Sequence, residues 1–396
     1  MPDQYKNTTT KPIQLPATIW VLGFVSLFMD ISSELVHSLL PVFLVSVIGA
    51  SAITVGLIEG VAEATALIVK VFSGVLSDYL GKRKGLAMLG YSLGALSKPL
   101  FALAPGAGFI FSARFIDRIG KGIRGAPRDA LIADIAPINQ RGAAFGLRQS
   151  LDTVGAFIGP LLAIGLMIIW SNDFRAVFWV AVIPGGAAVL LLIFAVKEPK
   201  GHSSTQRSNP IRRENLRRLS ANYWWIVVLG AVFSLARFSE AFLLLRAEQL
   251  QLSVAWIPLV LVVMNIVYAL SAYPLGRLAD RMSHRKLLAM GLLILIVADL
   301  VLAYSRHWLP VFIGVAFWGL HMGMTQGLFA TMVAHAAPEN LRGTAFGTFN
   351  LVAGVALFIA SVLAGTLWDQ FGAAATFFTG AGFSLLALVL LLRRQL

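Results

Sequence analysis

The sequence predicts an all-α membrane protein that crosses the bilayer with twelve transmembrane helices, arranged as two pseudo-symmetric six-helix bundles. Three observations predict it. Of 396 residues, 58% are hydrophobic and 13% are charged, about half the charged share of an average soluble domain. The apolar residues are gathered into long segments, many exceeding the roughly 18 residues that mark a spanning helix. Finally, the second half of the chain repeats motifs of the first.

The apolar segments run near 17–48, 53–78, 85–104, 108–133, 143–170, 174–196, 222–249, 253–280, 286–305, 308–334, 344–368 and 373–392. Gly, Ser and Pro interrupt them, as membrane helices tolerate. The first follows a polar start, Met1 to Pro16, and is too long for a signal-peptide core, so it reads as a retained helix. The longest connection, after the sixth segment, is polar and basic and carries Pro199 and Pro210. It divides the chain into an N-terminal bundle (1–197), a linker (198–221) and a C-terminal bundle (222–396). Arg212, Arg213, Arg217 and Arg218 flank Ile211 and Leu216 there. That pattern suits either an amphipathic helix on an anionic leaflet or a solvated basic linker.

The repeat is explicit. Residues 74–84 read GVLSDYLGKRK, and residues 276–286 read GRLADRMSHRK. Residues 137–146 read PINQRGAAFG, and residues 338–347 read PENLRGTAFG. Two matches about 200 residues apart indicate two similar halves.

The formal net charge is +13, but its placement argues for topology rather than nucleic-acid binding. Lys82, Arg83, Lys84, Arg124, Arg128, Arg141, Arg281, Arg285, Lys286, Arg342 and Arg393 fall in alternate loops and helix ends. The loops near 49–52, 104–108, 250–254 and 369–373 hold no Lys or Arg; Arg175, Arg246 and Arg306 are exceptions near the opposite ends. This positive-inside pattern places both termini in the cytoplasm, and short loops suit a bacterial inner membrane. No cysteine is present, which removes disulfides, thiolate metal sites and a Cys nucleophile. No phosphate loop, metalloprotease motif or nucleophile elbow occurs, so neither ATP-driven transport nor an enzyme is expected. The sequence calls for no cofactor.

With these residues in view, the whole chain resembles the major facilitator superfamily. The signature between helices 2 and 3 is Gly74, Leu76, Asp78, Gly81, Lys82, Arg83 and Lys84, with a second copy around Asp280 and Arg285 that departs at Ser283. Residues Arg118 to Ala126 are similar to the family's helix-4 arginine motif, with Arg124 where a small residue is usual. Gly155, Gly159 and Pro160 are similar to the helix-5 motif of proton-driven drug exporters, without its following Gly pair. The resemblance implies a monomeric secondary transporter working by alternating access on a small molecule and protons. It implies gate roles for Gly74, Asp78, Arg83, Asp280, Arg285, Gly155, Gly159 and Pro160, and a place near proton transfer for Arg118. Physically, a carboxylate such as Asp78 at a helix end can accept from a neighbouring helix N-terminus and pair with Arg. The glycines permit close helix approach, so packing alone is the competing reading.

Ionisable side chains within spans are costly and face a cavity or a partner. Asp30 and Glu34 share a helix face with His37, and Glu59 and Glu63 share another. Two acids close together in low dielectric cannot both ionise easily, so Asp30 and Glu34 are the leading proton-coupling pair, with Asp152 next. The competing reading makes them salt-bridge partners of Arg114 or Arg118. Arg114, Arg237, Glu240, Glu63 and His321 are candidate substrate contacts; for the arginines, structural pairing with a carboxylate competes. Asp30, Glu34, His37 and His321 form a weaker candidate set for a divalent metal. The leading expectation is proton-coupled export of a small organic compound. Proton-coupled uptake of an organic anion, and transport of a divalent metal or metal chelate, are the alternatives. A receptor that binds without moving its ligand is the rival outside transport.

Overall fold

The computed structural model describes residues 15–80, 83–197, 216–279, 282–325, 327–338 and 341–393, excluding the side chains of Asp78, Asn139, Tyr273 and residues 276–279. Asp280, Gly81, Lys82 and most of the expected linker therefore lie outside it, as does the Asp78 carboxylate.

Every regular element among the described residues is helical. In chain order these are α1 (Ala17–Val47), α2 (Ala52–Leu80), α3 (Arg83–Leu103), α4 (Ala107–Ile135), α5 (Arg141–Ile169) and α6 (Phe174–Ala195). They continue as α7 (Ala221–Gln249), α8 (Leu259–Ala279), α9 (His284–Tyr304), α10 (Trp308–Ala336), α11 (Arg342–Phe371) and α12 (Ala373–Arg393). Among the described residues, eleven helical segments are long and apolar enough to cross a membrane. The helix that fails this criterion is α4. It is 29 residues long but carries Arg114, Asp117, Arg118, Lys121, Arg124, Arg128 and Asp129. Burial inside the protein makes such a helix tolerable, because its charges meet partners rather than lipid.

Several helices are interrupted. In α1 the regular helix ends at His37, and Pro41 opens a short turn followed by a π-helical turn, Phe43–Val47. Proline has no N–H to continue the ladder. In α7 the helix stops at Ala236 and resumes at Ala241, with Arg237 in a non-helical conformation (φ −109°, ψ 74°). In α10, Gly327 at φ +76° separates Trp308–Thr325 from Leu328–Ala336. That left-handed conformation is one glycine adopts at little cost.

Within each half of the chain, α1 packs with α5 and α6, and α3 with α4; then α9 with α10 and α12, and α7 with α11 and α12. The halves meet chiefly where α2 lies along α11. A Cβ on Gly56 would fall 2.2 Å from the Ser361 carbonyl oxygen, and one on Gly365 would fall 2.4 Å from that of Ala52. Only glycine allows this backbone approach. At the end remote from Ala17 and Arg393 the seam is fastened. The Asp369 carboxylate accepts the N–H groups of Ala52 (3.0 Å) and Ile53 (2.8 Å), and Ser46 donates to Glu248. A carboxylate at a helix N-terminus satisfies orphan donors and complements the helix dipole.

Two exceptions to the charge asymmetry have a structural reason. Arg175 donates to the carbonyls of Ala102 and Ala104 at the C-terminus of α3. Arg246 does the same for Leu302, Ala303 and Ser305 at the C-terminus of α9. Each guanidinium satisfies carbonyls that a helix end leaves open, and its charge complements the dipole.

Candidate functional site

The glycines of the helix-5 motif determine where α1 sits. A Cβ on Gly155 would lie 2.8 Å from the Leu27 carbonyl oxygen and 2.9 Å from the Asp30 Cβ. On Gly159 it would lie 2.8 Å from the Glu34 Cβ and 2.9 Å from the Ile31 carbonyl oxygen. The motif is thus the bed on which the two acids of α1 rest.

Between the halves lies a cavity of about 360 Å³. Glu34 and His37 (α1), Glu63 (α2) and Arg118 and Lys121 (α4) line it from the first half. Opposite stand Ser234, Arg237, Phe238, Ser239 and Glu240, the residues at the break in α7, with Asn265 (α8), Trp318 (α10) and Ser361 (α11). A second cavity of about 450 Å³ adjoins it and shares Glu34, Glu63, Lys121, Ala156 and Asn265. It extends toward the end that carries the termini, along Asp30, Lys70, Arg124, Arg128 and Asp152.

Behind the first-half wall the charges form one connected network. Arg114 Nη2 lies 2.6 Å from Glu59 Oε2, and both side chains are at most 2% exposed. His37 bridges two acids, with Nδ1 3.5 Å from Glu34 and Nε2 3.7 Å from Glu59. Asp117 gathers Lys98 (2.7 Å), Arg114 (3.9 Å) and Arg118 (3.8 Å). Arg118 also reaches Glu63 at 3.3 Å. Charges withdrawn from water this far persist only when paired and hydrogen-bonded.

The predicted proton-coupling residues are split among these surroundings. Glu34 lines both cavities and contacts His37; Asp30 lines the second cavity and has no ion-pair partner within 4.0 Å among the described residues. Asp152 is bound to Arg148 at 2.6 Å. The competing pairing of Asp30 or Glu34 with Arg114 or Arg118 does not form within 4.0 Å; Glu59, Glu63 and Asp117 take those arginines instead.

Among the substrate candidates, Glu63, Arg237 and Glu240 line the central cavity. Arg237 lies over the Phe233 ring (5.9 Å), its Nε has no hydrogen-bond partner, and neither Arg237 nor Glu240 forms an ion pair among the described residues. Arg114 is sealed behind the wall by Glu59, and His321 is turned away to the Gly291 carbonyl (2.8 Å). His321 therefore does not join Asp30, Glu34 and His37. Among the described residues no group of three or more metal-ligating side chains assembles.

The gate candidates also separate. Arg83 binds Asp134 and the Ala130 carbonyl, tying α3 to α4 within its own half, and Arg285 donates to the Leu392 carbonyl. Gly74 leaves only ordinary contact with Ala126. Asp369 was not singled out from the sequence. Its signal would have been an acid at a helix end facing the start of α2, which no local motif reveals. Lys98 and Asp117 lie within apolar segments of the sequence, but their partnership is set by the α3–α4 packing.

Comparison with known proteins agrees with this architecture. The profile of the Major Facilitator Superfamily matches residues 22–245 and 229–395. The chain is 30% identical over 387 residues to the uncharacterized MFS-type transporter MJ1317 of Methanocaldococcus jannaschii, covering 96% of this chain and 95% of that one. It is 26% identical over 357 residues to the quinolone resistance protein NorA of Staphylococcus aureus, covering 89% and 90%. Among solved structures, the nucleoside transporter NupG superposes with a TM-score of 0.77 at 12% identity (95% of this chain, 99% of that chain). The peptide transporter POT superposes with 0.79 at 15% (96% and 94%). These last likenesses concern the fold alone. A cavity walled by both halves, the repeated signatures and the profile match across nearly the whole chain lead to one conclusion: the chain belongs to the Major Facilitator Superfamily and is an integral membrane transporter.

Proposed function

We propose that the protein is a twelve-helix, proton-coupled exporter of a small organic compound, with α4 as the twelfth span and bundles 1–197 and 222–396 rocking about the central cavity. The observation that carries this reading is the cavity wall at the break in α7. Arg237 and Glu240 stand there without ion-pair partners among the described residues, facing Glu34, Glu63 and Lys121 across the seam. Interrupted helices at a repeat interface are where secondary transporters bind substrate. Arg237 offers a planar set of donors to a carboxylate, while Phe233, Phe238 and Trp318 supply an apolar face.

In this reading Glu34 and Asp30 take and release the proton. His37 lets the state of Glu34 be felt by the Glu59–Arg114 pair. The seam around Asp369 closes the periplasmic side, and the second cavity leads to the cytoplasm, with both termini on that side of a bacterial inner membrane. Likeness to NorA, a quinolone resistance protein, supports export.

The test is proton movement by purified protein in proteoliposomes, challenged with organic cations, organic carboxylates and divalent metals. Wild type is compared with Glu34→Gln, Asp30→Asn and Asp152→Asn. Substrate-dependent proton movement lost in Glu34→Gln or Asp30→Asn is the expected result. Normal coupling in both variants overturns the assignment.

A further inference from the structure

Helices α3 and α4 correspond to α9 and α10 with a constant offset. Arg83–Leu103 maps onto His284–Tyr304, and Ala107–Ile135 onto Trp308–Ala336. The contacts map as well. Gly90 packs on Arg124, and Gly291 packs on Thr325, 201 positions later in each case. At this offset Lys98 becomes Asp299, and Asp117 becomes Trp318.

Both positions hold a buried side-chain contact of the same sequence separation, 19 residues. Lys98 Nζ donates to Asp117 Oδ1 at 2.7 Å, and Trp318 Nε1 donates to Asp299 Oδ1 at 3.0 Å. The difference is electrical. In the first half a cation and an anion cancel. In the second half Asp299 is fully buried, its other oxygen, Oδ2, has no hydrogen-bond partner, and it forms no ion pair among the described residues.

Among the described residues, no cation on the walls around Asp299 forms an ion pair with it. On α12, Gly380 presses against it, where a Cβ would lie 2.7 Å from Oδ2, and the ionisable side chain of that helix is Arg393 at its far end. On α9 itself, His284, Arg285 and Lys286 stand at the opposite end. On α10, His321 is engaged by the Gly291 carbonyl. On α7, Phe238 packs on Trp318 at 5.7 Å, Arg237 and Glu240 face the cavity, and Arg246 is engaged by the carbonyls of Leu302, Ala303 and Ser305 at the C-terminus of α9. An ionised carboxylate with one neutral donor would bear a large desolvation cost. A bound proton removes that cost, as Lys98 does for Asp117.

We propose that Asp299 is a proton-binding site of the second half, holding a neutral carboxylic acid behind the aromatic cavity wall and exchanging its proton with the cavity by way of Trp318 and Phe238. Both aromatic residues line the cavity, so a movement of either exposes Oδ2 to cavity water. When the O–H bond at Oδ2 breaks, the proton passes to that water, and the Trp318 N–H remains as donor to the carboxylate left behind. Asp299 thereby adds a titrating position in the second half to the proton-coupled reading, and it rests on that reading only for its part in transport.

The test uses the full-length protein and needs no substrate. Infrared spectra of wild type, Asp299→Asn and Trp318→Phe are recorded in detergent across a pH series, with tryptophan fluorescence in parallel. The expected result has three parts. Wild type shows at neutral pH a protonated-carboxyl C=O stretch that is absent in Asp299→Asn and shifted in Trp318→Phe. The stretch disappears at alkaline pH while the helical spectrum is retained. The Trp318 emission, taken as wild type minus Trp318→Phe, changes over the same pH interval. Identical spectra for wild type and Asp299→Asn overturn the proposal. So does a stretch that persists at every pH at which the fold survives, which makes Asp299 a fixed packing acid. Because no flux is read, failure here is separate from failure of proton-coupled export.

Discussion

The two halves of this transporter share a backbone plan and differ in how they neutralise buried charge. The first half carries a connected set of pairs, from Glu34 through His37, Glu59 and Arg114 to Asp117 and Lys98. The second half keeps Arg237 and Glu240 at the cavity and Asp299 behind it, without an ion pair at any of the three among the described residues. A buried pair is costly to break but inert once formed, whereas an unpaired buried group responds to whatever ion or ligand arrives. In the proposed reading the first half is an electrostatic frame that also brings Glu34 and Asp30 to the cavities, and the second half adds unpaired groups at and behind the cavity wall.

The sharpest way to break this comparison is to remove the acid of the corresponding contact in each half. Asp117→Asn strands Lys98 and unsettles Arg114 and Arg118; a loss of about 3–5 kcal/mol is expected, read as a large drop in detergent melting temperature and in folded yield. Asp299→Asn, which removes the acid of the corresponding contact in the second half, is expected to change stability by less than about 1 kcal/mol, because a neutral acid is replaced by a neutral amide. Equal destabilisation at both positions would erase the distinction. Arg114→Met should cost about as much as Asp117→Asn, and adding Glu59→Gln should restore much of the loss, since the pair rather than either charge is what the bilayer tolerates.

A smaller effect is expected at the helix-5 motif. Gly159→Val places carbon against the Ile31 carbonyl and the Glu34 Cβ, and overpacking of this kind costs about 1–3 kcal/mol. Its signature is a transporter that folds but whose α1 acids are displaced, measured as proton movement lost beyond the loss in stability. At the cavity, Arg237→Gln is expected to weaken binding of an organic carboxylate about tenfold or more, the loss of one charge-assisted contact of about 1.5–3 kcal/mol, with the melting temperature nearly unchanged. Isothermal titration separates these outcomes.

How much was legible beforehand follows the same division. The helices, the repeat and the intramembrane charges could be read because each is a local pattern of apolarity or spacing. The α4 helix is legible near 108–133 as an apolar segment despite its charges. The pairing of those charges could not be read. Glu59 and Arg114 are 55 residues apart, and Asp369 meets the start of α2 across more than 300. Such contacts are fixed by helix packing, where a glycine such as Gly56 or Gly159 decides which faces touch. For the same reason His321, a candidate by its place on a cavity helix, turned out to face α9.

Alternating access is the central claim, and the absence of native cysteine allows it to be tested directly. Ala156, on α5, lines both cavities. In Ala156→Cys, a membrane-impermeant maleimide is applied from either side of oriented vesicles, with and without transported compound. The account predicts labelling from the side of the termini in the resting protein, and labelling from the opposite side only when compound is being transported. Labelling from both sides at rest would describe a channel and would contradict it.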